Sequence, residues 1–205
     1  MSALRNRVPT AQMIANLNRH LTLGSIDSNE FRLLPVGKLL TRAGSKMVIE
    51  AQELRRVMGH FATGVAVITT KDQDGAPQGL TANAFMSLSL NPPLVLISVD
   101  KGATCYGCFE PNNGFTVNFL SEDQEEISRR FATKGVDKFA DLKWQAGSNG
   151  AAVIDGALGS VECKITNCYD GGDHTIVVGE ILNVAGNGER PLLFFKGKYQ
   201  RLPAS

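Results

Sequence analysis

Residues 79–99 read GLTANAFMSLSLNPPLVLISV, and this segment determines the fold class. Its β-branched and apolar residues make two strands of a hairpin plausible over residues 79–90. Asn91-Pro92-Pro93 ends the second strand, because proline lacks the N–H that a strand ladder requires. PLVLISV, residues 93–99, is a continuous apolar run of strand length and predicts a buried core strand.

Within this segment, alternation over residues 79–87 predicts a strand with one polar and one apolar face. The polar face is assigned Thr81, Asn83, Phe85 and Ser87, and the apolar face is assigned Leu80, Ala82, Ala84 and Met86. Hydroxyl and amide groups at every second position are able to bind the oxygen-rich ring edge, the ribityl chain or the phosphate of a flavin. A solvent-facing strand surface explains the same pattern, so alternation alone leaves both interpretations open.

The flanking residues add further strands and two helices. AQELRRVMGHFA, residues 51–62, has apolar side chains at helical spacing and predicts a helix that covers a sheet. GVAVITT, residues 64–70, and FTVNFL, residues 115–120, predict strands. Ser121 and Gln124 form a capping-box pattern, which predicts a helix through EEISRRFA.

The C-terminal third predicts three more strands, in LGSVECKITNCY, HTIVVGEILNV and PLLFFKGKYQRL, with Gly171-Gly172 as the turn between the first two. Strands joined mainly by hairpins, with few helices, favour an antiparallel barrel over a doubly wound sheet. We therefore expect a mainly β fold with flanking helices, built as a closed or nearly closed antiparallel barrel of about six strands.

The composition is that of an ordinary globular protein. The 205 residues are 43% hydrophobic and 20% charged, enough for one well-buried core plus an appendage. A formal net charge of +1 gives no field that favours nucleic acid. No apolar run reaches the length of about 18 residues that a membrane span needs, and no signal peptide is evident, so we expect a cytoplasmic protein. The four cysteines are expected to be reduced thiols.

The first fifty residues differ in charge from the rest, with seven Lys or Arg against three Asp or Glu. Residues 9–23 have a helical pattern, because Met13, Leu17 and Leu21 lie four apart on one face. A targeting presequence would show this pattern, but an arm that embraces a dimer partner, or an extension specific to this chain, is favoured. We therefore divide the chain into a basic, partly helical extension, residues 1–50, and one domain, residues 51–205.

Six blocks occur in a fixed order along the domain, and together they are far more specific than any one of them. They are HFATGVAVITT, GLTANAFMSLSLNPPLVLISV, FTVNFLS, RRFA, GGDHTIVVGEI and RPLLFFKGKY. In these blocks the chain resembles the short-chain flavin reductases, which have an FMN-binding split barrel and serve as reductase components of two-component flavin-dependent monooxygenases. The resemblance runs from about residue 53 to residue 202 and does not reach the N-terminal extension.

The resemblance implies a flavin site with two walls. One wall follows the second strand of the family's fold and consists of Pro77, Gln78, Gly79, Leu80, Thr81, Asn83 and Ala84. The other follows the third strand and consists of Ser98, Val99, Asp100, Thr104 and Cys105. A strand end followed by a helix that starts at Ala103 would offer backbone N–H groups to the flavin phosphate. Lys101 either adds a point charge there or is a solvated loop lysine.

An Arg-Phe pair and a Gly-Asp-His element complete the implied site. Arg130 matches an arginine whose planar fork reaches phosphate, and Phe131 matches an aromatic ring that borders the cofactor; the alternative for Arg130 is a solvated helix surface. His174 matches the position where the nicotinamide nucleotide docks over the flavin, and a turn histidine satisfied by its own backbone is the alternative. The nicotinamide side is completed by Phe194, Phe195, Lys196 and Gly197.

The resemblance also implies the reaction, which is hydride transfer from NADH or NADPH to FMN or FAD with no obligatory acid or base. It implies a homodimer in which both protomers line each flavin pocket, and a partner monooxygenase that receives the reduced flavin. No G-x-G-x-x-G and no P-loop motif occurs, so the nucleotide must bind on the barrel surface. Neither the choice between FMN and FAD nor that between NADH and NADPH follows from the sequence.

Three other interpretations use the same residues. A flavin- or haem-binding split barrel without reductase turnover would not need the Gly-Asp-His element or PLLFFKGKY. A zinc site needs Cys105, Cys108, Cys163 and Cys168 to converge, whereas strand alternation places the last two on opposite faces. A thioredoxin-like pair at Cys105 and Cys108 lacks the βαβ surroundings that such motifs need. We therefore predict that the chain binds no metal.

Overall fold

A computed structural model of the chain describes residues 49–186 and 190–203. The presequence and dimer-arm interpretations of residues 1–48 lie outside the described residues. Within the described ranges, no helix is long and apolar enough to cross a membrane.

Short strands make up most of the described chain. In chain order the elements are α1 (Ala51–Met58), β1 (Thr63–Gly64), β2 (Ala66–Lys71), β3 (Pro77–Ala82), β4 (Phe85–Leu90), β5 (Pro93–Asp100), a 3₁₀ turn (Tyr106–Cys108), β6 (Gly114–Phe119), α2 (Glu125–Ala132), β7 (Trp144–Ala146), β8 (Ala152–Ile154), β9 (Gly159–Gly171), β10 (His174–Gly186), β11 (Leu193–Phe195) and β12 (Lys198–Gln200). Strands β1, β11 and β12 form one small sheet, and β7 and β8 form another.

Seven strands form the main antiparallel sheet, in the order β3-β2-β6-β9-β10-β5-β4. Neighbouring strands lie about 4.8 Å apart, so in a flat sheet β3 and β4 would be about 29 Å apart. Only Asn83 and Ala84 connect these two edge strands, and the chain from Ala82 to Phe85 spans at most about 11 Å. The sheet must therefore be rolled, and the carbonyl oxygen of Ala84 accepts the N–H of Ser98 in β5 at 3.1 Å.

This topology confirms the mainly β, antiparallel split barrel, with seven strands in the main sheet. The hairpin expected over residues 79–90 is wrong, because β3 pairs with β2 whereas β4 pairs with β5. The bend between Ala82 and Phe85 also shifts the side-chain alternation. Phe85 packs against the barrel core together with Leu80 and Ala82, so its assignment to the polar face is wrong.

Two apolar cores hold the main sheet. The barrel interior includes Ile68, Ile97, Val99, Phe115, Val117, Cys163, Ile165 and Val177. A second core contains Val65, Val67, Leu120, Phe131, Ile154 and Leu192. Strand β2 supplies both cores, with Ile68 in the first and Val67 in the second, and a strand buried on both faces has no need of polar alternation.

A β-bulge in β9 decides where two of the cysteines lie. Ile165 and Asn167 pair with adjacent residues of β10, which leaves Thr166 as an extra residue. Cys163 and Cys168 therefore both pack against the barrel core. The prediction that strand alternation puts these two thiols on opposite faces is wrong.

Helix α1 differs from its predicted role. It ends at Met58 rather than Ala62. Its apolar side chains are exposed, with Leu54 at 49%, Val57 at 51% and Met58 at 61% of their accessible surface. The expectation that this helix covers the sheet is therefore wrong for the described residues, and its apolar face is open.

Helix α2 lies beside β3 and forms part of the candidate site. It buries Ser128 and Phe131. The side chain of Gln124 accepts the N–H of Ser121 at 3.1 Å, which is one half of the predicted capping box, but the helix itself begins at Glu125.

Candidate functional site

Two cavities lie along edge strand β3. The first, which we call the Gly79 cavity, has a volume of about 260 Å³ and is lined by Pro77, Gln78, Gly79, Thr104, Cys105, Gly135, Val136, Asp137, Lys138 and Phe139. The second, which we call the Asn83 cavity, has a volume of about 210 Å³ and is lined by Val65, Thr81, Ala82, Asn83, Ala132, Phe194 and Tyr199. Eight of the predicted site residues therefore line these two cavities. They come from both predicted flavin walls and from the predicted nicotinamide side.

The loop after α2, residues 135–139, forms a wall of the Gly79 cavity that the sequence analysis missed. Lys138 Nζ donates to the carbonyl oxygen of Gly79 at 2.8 Å. Lys134 Nζ donates to the carbonyl oxygen of Gly102 at 3.0 Å, which ties the same region to the turn after β5. The sequence signal for this wall was Gly135 with Lys134 and Lys138 on either side of it. In the structure Gly135 adopts a positive φ of 77°, a conformation that favours glycine.

Phe131 lies behind Gly79 and not on the cavity surface. It is 1% exposed and belongs to the second core. A Cβ at Gly79 would come within 2.8 Å of its ring, so the glycine makes room for this aromatic side chain. The predicted contact of Phe131 with a cofactor therefore has no support from its position.

The Asn83 cavity has a wall fixed by hydrogen bonds. Thr81 Oγ1 donates to the carbonyl oxygen of Ser128 at 2.6 Å. The hydroxyl groups of Ser128 and Tyr199 are 2.8 Å apart. The guanidinium of Arg129 lies 4.7 Å from the centre of the Tyr199 ring, and Phe194 meets the same ring edge-on. Tyr199 is a lining residue that the sequence analysis did not identify, although it is the last residue of the block RPLLFFKGKY.

The turn after β5 differs from the predicted phosphate cradle. No helix starts at Ala103; a turn leads into the 3₁₀ segment instead. The N–H groups of Lys101, Gly102 and Ala103 donate to Asp173 O, Asp100 Oδ1 and Asp100 O. The expected helix start at Ala103 is therefore wrong, and the N–H groups of these three residues are already hydrogen-bonded within the protein.

The remaining residues of this wall contribute in different ways. Val99 is completely buried in the barrel core, so only its backbone is able to face a ligand. Ser98 is half-buried, and Asp100 caps the turn through its side chain. Lys101 Nζ donates to Asp170 and, at 2.6 Å, to the carbonyl oxygen of Gly172. The hydrogen bond between them raises the pKa of Lys101 and lowers the pKa of Asp170.

Arg130 is engaged away from both cavities. Its Nη1 donates to the carbonyl oxygen of Ala140 at 2.6 Å, and its Nη2 to Glu126 Oε1 at 3.3 Å. It is absent from the residues that line either cavity. Its predicted role as a phosphate ligand stays a prediction, and this structure does not bring it to the site.

His174 begins β10 directly opposite Asp100 of β5. Its Nδ1 lies 2.7 Å from Asp173 Oδ1, and this hydrogen bond lowers the pKa of Asp173. Tyr106 OH and Thr175 Oγ1, 2.9 Å apart, hold the 3₁₀ segment against the same strand. The histidine side chain is 41% exposed, so it is free to meet a ligand.

The segment from Phe194 to Gly197 forms a hairpin. Lys196 and Gly197 have φ of 50° and 75° and connect β11 to β12 as a two-residue turn. Phe194 lines the Asn83 cavity, whereas the Phe195 ring packs edge-on against His60. Among the described contacts, none joins this hairpin to His174, so the structure does not unite the two predicted halves of the nicotinamide site.

The four cysteines are free thiols that are buried or half-buried. In the described part of the chain, no group of three or more His, Cys, Asp or Glu side chains is placed to hold a metal ion. Burial raises the pKa of Cys105 and of Cys108, and it raises the pKa of Cys163 to about 12. A raised pKa disfavours the thiolate that nucleophilic or redox chemistry uses.

The rolled antiparallel sheet defines a split-barrel protein, and the two cavities along its edge strand β3 form the candidate binding site. Residues 58–203 match the family model of the flavin reductase like domain, and the chain belongs to this family. It is 38% identical over 152 residues to the reductase subunit of a flavin-dependent monooxygenase from Rhodococcus jostii, a match that covers 74% of this chain and 77% of that protein.

Two further similarities extend the comparison. The chain is 40% identical over 151 residues to an NADH-using FMN reductase from Agrobacterium fabrum, covering 74% of this chain and 86% of that protein. Among solved structures, an NADH:FAD oxidoreductase from Streptomyces globisporus in complex with NAD and FAD fragments superposes with a TM-score of 0.72 at 39% identity. That match covers 78% of this chain and 98% of the other.

Proposed function

We propose that this chain is an NAD(P)H:flavin oxidoreductase, which passes a hydride from NADH or NADPH to FMN or FAD and delivers the reduced flavin to a partner monooxygenase. The observation that carries the proposal is the Gly79 cavity, where residues 77–79 and residues 104–105 line one space. The first segment belongs to β3 and the second to the turn after β5, and they were expected to form opposite walls of a flavin site. Membership of the flavin reductase like family supports the same reaction.

The two cavities fit the two ends of a flavin. The Asn83 cavity combines the Phe194 and Tyr199 rings with the amide of Asn83, a mixture of aromatic surface and few polar groups that suits a planar heterocycle. The Gly79 cavity is more polar and includes Gln78 and Lys138, which suits the phosphate end. We therefore propose that the flavin lies along β3, with its ring toward Asn83.

The chain acts by positioning. A bound flavin supplies the ring that accepts the hydride, so no side chain has to act as an acid or base. Strand β3 is an edge of the sheet, and its outward N–H groups are available to the ring oxygens. The hydrogen bonds that fix Thr81 and Tyr199 to Ser128 keep this wall rigid, and holding two reactants at reacting distance contributes several kcal/mol, in favourable cases about 7–11 kcal/mol, to lowering the barrier.

His174 is proposed to orient the nicotinamide nucleotide. Its position opposite Asp100 and its partly exposed imidazole support contact with a nucleotide that covers the flavin. The carboxylate of Asp173 holds Nδ1 and leaves Nε2 to face the ligand. NADH and NADPH are both to be tested as hydride donors.

We also propose that the chain is a homodimer, packed barrel against barrel, and that it works in the cytoplasm. Strands β4 and β10 carry apolar side chains that are exposed to solvent in the described chain. They are Met86, Leu88, Leu90, Leu182 and Val184. Both strands pair with β5, so these side chains belong to one continuous sheet. The four cysteines are unpaired thiols, in keeping with a reducing compartment.

Anaerobic mixing of the full chain with a flavin and a nicotinamide nucleotide tests the reaction. We expect the visible flavin absorbance to bleach with at least one of the four pairings of FMN or FAD with NADH or NADPH. Each pairing is compared with protein and flavin alone. Flavin that binds but keeps its colour in all four pairings would show a binding protein without turnover and would overturn the proposal.

A further inference from the structure

Lys138 is the cation of the Gly79 cavity. Its half-buried side chain lines the cavity and donates one hydrogen bond, at 2.8 Å, to the carbonyl oxygen of Gly79. A lysine ammonium carries three N–H donors, so two remain for a ligand in the cavity. Because β3 is an edge strand, the Gly79 carbonyl that holds this lysine lies at the open side of the sheet.

The charge of Lys138 acts across the cavity. Cys105 lies on the wall formed after β5, and its pKa is raised mainly by burial. Lys138 and Cys105 line the same cavity, and the positive charge of Lys138 opposes this shift. The lysine therefore faces the space between the two walls.

The other candidate cations have protein partners elsewhere. Lys101 binds Asp170 and Gly172 O, and Arg130 binds Ala140 O and Glu126. Lys134 binds Gly102 O and does not line the cavity. Among the lining residues of the Gly79 cavity, Lys138 is therefore the single positive charge.

One carboxylate also lines the cavity. Asp137 lines it next to Lys138, and its Oδ1 accepts the N–H of Phe139 at 3.0 Å. A negative charge beside a phosphate opposes binding, so the lysine has to offset it as well as attract the ligand. Removing the lysine alone would leave the cavity with a net negative charge.

We propose that Lys138 binds the phosphate of the flavin and so makes the site selective for phosphorylated flavins over riboflavin. The inference rests on the proposed flavin site in the Gly79 cavity and assigns the charge recognition to a residue outside the Arg-Phe pair. A compact ammonium on a flexible stem suits a phosphate that arrives from solvent, because it can turn from the Gly79 carbonyl to the ligand without moving the backbone.

The test compares FMN with riboflavin, which lacks only the phosphate, by fluorescence titration of the full chain. Wild type is expected to bind FMN more tightly than riboflavin. Lys138→Met keeps most of the aliphatic stem and is expected to weaken FMN binding about tenfold, as the loss of a charge-assisted hydrogen bond does, while riboflavin binding changes less than about twofold. Lys138→Arg keeps the charge and is expected to restore most of the FMN affinity.

Two neighbours serve as matched variants. Lys134→Met removes the same charge and the same kind of lysine–carbonyl contact four positions earlier, outside the cavity, and FMN binding is expected to stay within about twofold of wild type. Asp137→Asn keeps the contact to Phe139 and is expected to tighten FMN but not riboflavin.

Equal loss of FMN and riboflavin in Lys138→Met would assign the lysine a structural role and overturn the inference, as would no loss of either. Wild type that binds both ligands equally would overturn it too, while leaving the reductase proposal intact. Failure of wild type to bind any flavin would instead refute the proposed function.

Discussion

Gly79 connects the packing behind β3 with the cavity in front of it. A Cβ built at this position would lie 2.8 Å from the carbonyl oxygen of Ile68 and 2.8 Å from the ring of Phe131. Phe131 fills that space and meets Phe139 edge-on, with 5.1 Å between the ring centres. Since Phe139 ends the loop that carries Lys138, the absence of a side chain at Gly79 determines where the cavity wall lies.

Gly79→Ala is expected to destabilise the fold by about 1–3 kcal/mol, because a methyl group there forces the buried Phe131 ring to move. Urea unfolding of the variant and of wild type measures the difference. Gly64→Ala is the matched control, since Gly64 also lies in a strand and a Cβ there meets nothing within 4 Å. An equal loss of unfolding free energy in the two variants would contradict this expectation. It would mean that replacing any strand glycine has this effect, independently of the Phe131 contact.

The family resemblance predicts four of the β3 residues that line the cavities, Pro77, Gln78, Gly79 and Thr81, but not Ala82 and not the cation of the Gly79 cavity. Arg130 matched a family pattern, and Lys138 lies eight positions further along the chain. Which of them faces the cavity depends on the path of residues 133–139 after α2, and this path is set by contacts to Gly79 of β3 and to Gly102 in the turn after β5. Local sequence carries no information on such contacts.

At the scale of elements, a buried carboxylate fastens the β7–β8 loop to the barrel. Glu162 of β9 is 5% exposed, and it accepts both the N–H and the hydroxyl of Ser148. Asn183 of β10 donates to its other oxygen at 2.9 Å. Burial acts to raise the pKa of Glu162, but the hydrogen bonds from Ser148 and Asn183 outweigh it, and the pKa is lowered overall.

The lowered pKa makes this contact dependent on pH. A carboxyl group whose pKa is lower in the folded state stabilises the fold above its unfolded pKa of about 4.3, and the contribution is lost as the pH falls through the folded value. Glu162→Gln is expected to lower the free energy of unfolding by about 1–3 kcal/mol near pH 7. The amide NH₂ group of glutamine is a donor and would face the donors of Ser148 without an acceptor between them. The difference from wild type should shrink below about pH 4.

Urea unfolding at several pH values between about 7 and 3.5 checks this expectation. Glu180→Gln, an exposed position on β10, is the control and should leave the pH profile of wild type unchanged. A Glu162→Gln deficit that stays constant down to the lowest pH would show that the charge of Glu162 is not the stabilising feature.

The elements themselves were largely predictable, and their irregularities were not. Apolar runs and hairpin turns located the strands, because burial and turn chemistry leave local patterns. The bend between Ala82 and Phe85 and the bulge at Thr166 each move later side chains to the other face. Both are consequences of rolling a sheet of seven strands, a property of the whole sheet that no short window of sequence contains.

At the scale of the whole molecule, the described chain leaves two apolar surfaces open. One is the face of α1, where Leu54, Val57 and Met58 are each about half exposed or more. The other is the β4–β10 surface, where Leu90 is 91% exposed. Apolar patches of this kind mark association surfaces, and a stable dimer buries about 800 Å² on each partner. The homodimer proposed above would cover the second surface.

Introducing charge into the β4–β10 surface tests that assembly. Wild type is expected to sediment as a dimer, and the double variant Leu90→Asp, Val184→Asp as a folded monomer, because a carboxylate buried in an apolar interface is costly to desolvate. If both protomers line each flavin pocket, the monomeric variant should also bind FMN more weakly. Leu202→Asp, which places one carboxylate on an exposed leucine away from these strands, should remain a dimer. A double variant that still sediments as a dimer would move the interface elsewhere, and the open face of α1 would be the next surface to test.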